Sequence, residues 1–255
     1  GLVSSSLNRR GSNNYSYFHL STEPLSFMRL LLFDIDGTLI RANGAGTTAI
    51  EAAVTSLTGR PATTDGISFS GRTDPSIFRE VLRKNGLQTT EIMLDAVMDA
   101  YVEEAQRTLH GENVERLPGT SSLLSLLSEQ HNLVPGLVTG NVERVAYHKL
   151  ETAGLAHHFS VGAFGSDHAT RSKLPTLAAD RATKQFGHAF SMKDTIVVGD
   201  TPRDINCAKK AGAYSMAVST GRPKHSDLSS LSPDLLFDTL DNPASVMDQI
   251  LDIFG

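Results

Sequence analysis

The sequence is poor in cysteine, in excess basic charge and in long apolar runs, and each shortage removes a class of function. A lone cysteine, Cys207, in 255 residues excludes an internal disulfide and any multi-cysteine zinc site, which fits a reducing compartment. The net charge of -5 and the pI near 6.0 give no basic footprint of the kind a dedicated nucleic-acid binder carries. No apolar run approaches the ~18 residues that span a bilayer. The nine histidines fall in no HExxH or similar metal spacing, so His157-His158 and His168 read as loop or surface residues. No internal repeat is present, and Gly44-Ala45-Gly46 is too short to count as a phosphate-binding loop. What remains is a chain with 40% hydrophobic residues, long enough for one large domain or a domain plus an insert. The expected partner is a small molecule, with no nucleic acid and no membrane, in the cytoplasm. Monomer and dimer both stay open.

Residues 1–27 differ from the rest, being rich in Ser, Asn, Tyr and Arg and lacking an acid until Glu23. They are expected to be dispensable to the fold, as a tag, a translated leader or an organelle transit segment. Met28 would be a natural start.

The most informative stretch follows at once. Leu30-Leu31-Leu32-Phe33 reads as a buried parallel strand, and Asp34-Ile35-Asp36-Gly37-Thr38 ends it with two carboxylates two residues apart. A side-chain period of two sends Asp34 and Asp36 to the same side of a regular strand. Ligands bind at such carboxyl-end edges in open α/β sheets.

From Gly44 to about Leu117 the spacing turns helical, in Ala49-Ile50-Ala53-Val54-Leu57, in Ile77-Phe78-Val81-Leu82, and from Glu91 to Leu109. Asp74-Pro75 opens the second helix, with Thr73 or Asp74 as its cap, and Asn85-Gly86 closes it. The block 44–117 therefore predicts an inserted helical cap, with glycine-containing linkers near 41–46 and 116–119. Beyond it βα alternation resumes, with strands at Leu133–Val138, Val161–Phe164, Thr195–Val198 and Ser215–Val218. Helices are expected at Ser121–Glu129, Val142–Ala153, Leu174–Phe186 and Asp204–Ala211. The predicted fold class is α/β, a doubly wound Rossmann-like parallel sheet spanning 28–43 and 118–255, with the α-helical cap inserted.

Three later stretches join the first: Val138-Thr139-Gly140-Asn141, Lys173-Leu174-Pro175, and Gly199-Asp200-Thr201-Pro202-Arg203-Asp204. In that order the four resemble the motifs of the haloacid dehalogenase superfamily, and the chain is similar to its phosphoglycolate phosphatase-like hydrolases from about Met28 onward. The resemblance implies a Mg²⁺-dependent phosphatase acting on a small phosphomonoester, such as 2-phosphoglycolate, a sugar phosphate or a nucleotide, through an aspartyl-phosphate. Under it Asp34 is the nucleophile, Asp36 the acid and base, and Lys173 the balancing cation, with Arg171 as fallback. Gly37, Thr38, Thr139, Gly140 and Asn141 would hold the phosphoryl group. Asp34, the Asp36 carbonyl and Asp200 would bind Mg²⁺, and Asp204 would hold a metal-bound water or orient the lysine. Arg72 in the cap is the candidate for a substrate carboxylate. The alternatives are a phosphomutase of the β-phosphoglucomutase type, disfavoured by Thr38, and a catalytically silent binding protein.

Overall fold

The computed structural model describes residues 27–255. Apart from Phe27, the expectation for residues 1–27 therefore lies outside the described residues.

Six parallel strands form the sheet, in the order β5-β4-β1-β6-β7-β8. They are β1 (Arg29–Phe33), β4 (Leu133–Val138), β5 (Gly162–Ala163), β6 (Thr195–Gly199), β7 (Tyr214–Val218) and β8 (Leu235–Phe237). β1 is central, and its two faces divide by the period of two: Leu31 and Phe33 enter one apolar cluster, Leu30 and Leu32 another, all fully buried. Burying each of these side chains contributes roughly 2 kcal/mol. That is why the strand reads as an unbroken apolar run.

Pro135 sits inside β4, an unusual place for a residue without an amide N–H. β4 meets β5 only at Leu137 and Val138, so Pro135 needs no ladder bond on that side.

A two-stranded antiparallel ribbon, β2 (Ile40–Arg41) with β3 (Glu115–Arg116), marks where the chain leaves and re-enters the sheet domain. Between them lie α1 (Ala45–Thr58), α2 (Asp74–Lys84) and α3 (Glu91–Thr108), with α3 packed on both α1 and α2. This is the helical cap. Phe78 and Tyr101 meet edge to face at 5.2 Å in its interior.

The remaining helices, α4 (Thr120–Ser128), α5 (Glu143–Thr152), α6 (Leu174–Phe186), α7 (Pro202–Ala211), α8 (His225–Ser229) and α9 (Pro243–Asp252), accompany the sheet. β8, α9 and the β2–β3 ribbon are additions to the sequence reading.

Gly119, with φ +78°, precedes α4 in the left-handed region, and a Cβ there would collide with the Leu240 carbonyl. Gly59 has a similar φ of +68° but faces open space. Gly59→Ala should therefore cost only backbone strain, about 1 kcal/mol. Gly119→Ala should cost at least about 3 kcal/mol, because the α4–α9 contact must also shift. Urea unfolding midpoints of the two variants check this difference.

Candidate active site

The sheet delivers three side chains to its carboxyl edge: Asp34 just after β1, Thr139 just after β4 and Asp200 just after β6. They line one cavity of about 450 Å³ between the sheet edge and the cap, together with Asp36, Gly37, Gly140, Asn141 and Arg171.

Two clusters of charge occupy its floor. In the first, Asp34, Asp200 and Asp204 are buried and bring carboxylate oxygens within 4.8 Å of one another. Gly37 and Gly221 let the backbone close over this cluster, since a Cβ on either would strike the Asp200 carboxylate. Arg171 offsets the negative charge, 3.0 Å from Asp34 and 2.5 Å from Asp204. Burial works against its own charge, but Asp204 and Asp34 more than offset that, so its pKa rises. Burial lifts Asp34 to about 6, against the pull of Arg171 and with the push of Asp204 and Asp36. Asp200 is raised well above its usual value by burial and then by Asp204 and Asp34. The Arg171 Nε is buried and has no partner among the described residues.

In the second cluster, buried Lys149 on α5 donates to Asp36 at 2.6 Å and to the Asn141 side-chain oxygen at 2.6 Å. The Asn141 amide nitrogen in turn donates to Asp36 at 2.8 Å and to the Thr139 hydroxyl at 2.9 Å. Asp34 and Asp36 are thus neighbours in different surroundings, one against Arg171 and one against Lys149 and Asn141.

The structure redistributes several expected roles. Lys173 is exposed and does not line the cavity. It shares a tight 3₁₀ turn with Arg171, and that turn sends Arg171, the fallback, inward. Lys149 was missed, although its signal is legible: it lies four residues after Val145, on the apolar side of an amphipathic helix. Thr38 is fully buried, does not line the cavity and donates to Asp200 at 3.3 Å, so it braces a carboxylate. The Asn141 backbone amide is engaged by Thr139 Oγ1, while the Gly140 amide has no partner among the described residues. Asp204 has committed one oxygen to Arg171 and the other to the Thr201 amide and hydroxyl as the cap of α7. It orients an arginine, not a lysine.

Arg72 lines the cavity but is satisfied within the cap, donating to Glu80, Ser68 O and Ser76 O. Asp74 does not cap α2 with its side chain. Its carboxylate accepts the Val142 amide at 2.8 Å while its own amide donates to Gly140 O at 2.7 Å. Thr73 likewise reaches out, donating to Ala169 O at 2.8 Å. These bonds dock the start of α2 on the loop after β4. A Cβ on Gly140 would collide with the Arg72 carbonyl, so the approach requires glycine there. Cys207 is buried, and burial pushes its thiol up to about 12, which leaves it un-ionised and inert.

The comparisons with known proteins agree with this architecture. The family model for haloacid dehalogenase-like hydrolases matches residues 31–218. The chain belongs to that family. The match contains both charge clusters. Among curated relatives of this hydrolase, phosphoglycolate phosphatase 1 of Pseudomonas aeruginosa is 26% identical, over 88% of this chain and 82% of its own. Phosphoglycolate phosphatase of Vibrio cholerae is 24% identical, over 84% and 94%. Solved structures with the same fold include a haloacid dehalogenase-like hydrolase from Streptococcus pneumoniae, with TM-score 0.61, 18% identity and coverage of 88% and 98%. A β-phosphoglucomutase from Clostridium difficile follows at TM-score 0.66, 16% identity and coverage of 89% and 98%.

Asp74 generates a stability prediction. Burial raises its pKa to about 7, against the pull of Lys149 and the Val142 amide. A folded-state value above the unfolded one makes its contribution favourable below about pH 4 and lost as pH rises through 7. Asp74→Asn keeps an acceptor for Val142 without a charge. Relative to the native protein it should gain about 3 kcal/mol between pH 5 and pH 8, read from denaturant unfolding at both values.

Proposed function

We propose that this haloacid dehalogenase-like hydrolase is a Mg²⁺-dependent phosphatase of small phosphomonoesters that works through an aspartyl-phosphate. The observation that carries the reading is the pair of neighbouring carboxylates in one cavity, Asp34 beside Arg171 and Asp36 beside Lys149 and Asn141. Different surroundings give paired carboxylates different tasks.

The donor set suits a hard divalent cation, because the three clustered groups are all carboxylates, buried and mutually repelling. Asp34 and Asp200 would hold Mg²⁺ with the Asp36 carbonyl, while Asp204, already bonded twice, fixes Arg171 and Thr201. When bound, the ion would neutralise charge on the phosphoryl oxygens.

The residues of the chain then divide the chemistry. Asp34 attacks phosphorus, forming a P–O bond to its carboxylate as the ester P–O bond breaks, and Asp36 gives the departing oxygen its proton. A water next attacks the aspartyl-phosphate and loses its proton to Asp36, which returns both carboxylates to their starting state and frees inorganic phosphate. Lys149 and Asn141 hold Asp36 in place for both transfers. The Thr139 hydroxyl and the Gly140 amide face the phosphoryl oxygens. Two buried cations, Lys149 and Arg171, share the neutralising role that sequence spacing gave to Lys173.

The test is inorganic phosphate release from a panel of phosphomonoesters, with Mg²⁺ and with chelator. Asp34→Asn should abolish turnover, and Lys149→Ala should lower kcat by on the order of 10²-fold or more. Lys173→Ala should stay within about twofold of native, as expected of an exposed lysine. Failure of the folded native protein to release phosphate from any ester would overturn the reading. Interconversion of phosphate isomers without net release would identify a mutase.

A further inference from the structure

The cap side of the cavity carries two polar groups that the phosphoryl chemistry does not use. Tyr101 on α3 is 2% exposed and lines the cavity, yet its hydroxyl has no hydrogen bond among the described residues. Its ring is packed edge to face against Phe78. The phenol is held in its protonated form by burial and by the fields of Asp74 and Asp36, so it faces the cavity as a donor. Asp74 is 7% exposed and lines the same cavity. One of its oxygens accepts the Val142 amide, and the other has no partner among the described residues. Both atoms open onto the cavity, so a donor and an acceptor stand ready for a ligand to complete them.

The same wall aims no buried cation at the leaving-group side. Arg72 directs its terminal nitrogens to Glu80, Ser68 O and Ser76 O. Lys149 and Arg171 are committed to Asp36, Asn141, Asp34 and Asp204. Arg41 and Arg222 line the cavity too, but both are exposed, and Arg41 already donates to Thr220 O. A second anion placed near Asp74 and Asp36 would meet like charge.

We infer that Tyr101 and Asp74 together read the leaving group, and that the preferred substrate is the phosphate ester of a neutral polyhydroxylated alcohol, such as a polyol or sugar, in preference to a carboxylated one. A substrate hydroxyl accepts from Tyr101 and donates to Asp74, which completes both groups at once. This rests on the phosphatase reading above. It also separates this chain from the substrate named for its curated relatives.

The experiment compares kcat/KM for glycerol 3-phosphate and a hexose phosphate with that for propyl phosphate and 2-phosphoglycolate. Native protein should favour the hydroxylated esters over both others by about tenfold or more, since a site built to bond a hydroxyl rejects analogues lacking it. Tyr101→Phe keeps the ring packing and should bring that ratio to near one. Asp74→Asn keeps the acceptor for Val142 and turns an amide donor to the cavity, so the preference should move toward 2-phosphoglycolate. A native preference for 2-phosphoglycolate, or an unchanged ratio in both variants, would overturn the inference. Calorimetric binding of the same esters to the Asp34→Asn background reads the preference without turnover. Selective binding of the hydroxylated esters there, lost on adding Tyr101→Phe, supports the Tyr101 assignment even if no ester is hydrolysed, whereas equal binding of all four overturns it.

Discussion

The carboxyl edge of the sheet depends on one buried ion network. Three carboxylates within 4.8 Å repel one another, and burial has already stripped them of water. Arg171 makes the arrangement tolerable, because its Nη2 stands between Asp34 and Asp204 and contacts both. Breaking such a buried pair typically costs about 3–5 kcal/mol, since it leaves an uncompensated charge behind. Asp204 is bound in turn to Thr201, at the first turn of α7, so charge balance and helix start share a carboxylate. The Arg171 backbone carbonyl also accepts from Cys207 on the same helix. The cysteine is a packing partner of the turn that aims the arginine.

Much of the fold was legible because the buried strands announce themselves. β1, β4 and β6 are covered on both faces and read as apolar runs, and helices such as Leu174–Phe186 end where their caps predict. β8 gave no such signal, being three half-buried residues at the sheet edge. α9 carried its mark in Asn242-Pro243, a capping asparagine followed by a first-turn proline, and was still overlooked. The positions of Asp34, Thr139 and Asp200 at the cavity followed from strand ends read together with the motif resemblance. The choice between Arg171 and Lys173 did not, because residues two apart on a 3₁₀ turn point about 120° apart around the axis, and sequence does not say which faces inward. The intracap bonding of Arg72 was illegible for a similar reason: its partner Glu80 lies eight residues on, across a loop and a helix start.

The cap is not a detached lid in this structure. The start of α2 exchanges backbone bonds with the loop after β4, Thr73 reaches Ala169 O, and Arg203 donates to Ser70 O. Each of these polar contacts contributes roughly 1 kcal/mol net. Apolar packing adds to them, since cap and sheet-domain residues share one buried cluster and α3 packs on α5. The segment that docks the cap, residues 70–74, also walls the cavity. A change in what the wall recognises is therefore bound to alter how firmly the cap closes.

The direction of β1 has a practical consequence. All six strands run in parallel, with the reactive groups at their carboxyl ends, and Arg29 begins the central strand at the opposite rim. Phe27, 72% exposed, lies at this rim. A strand of five residues separates that point from Asp34 by roughly 17 Å of sheet. Immobilisation on a surface through the rim where β1 begins would present the cavity mouth outward, away from the support.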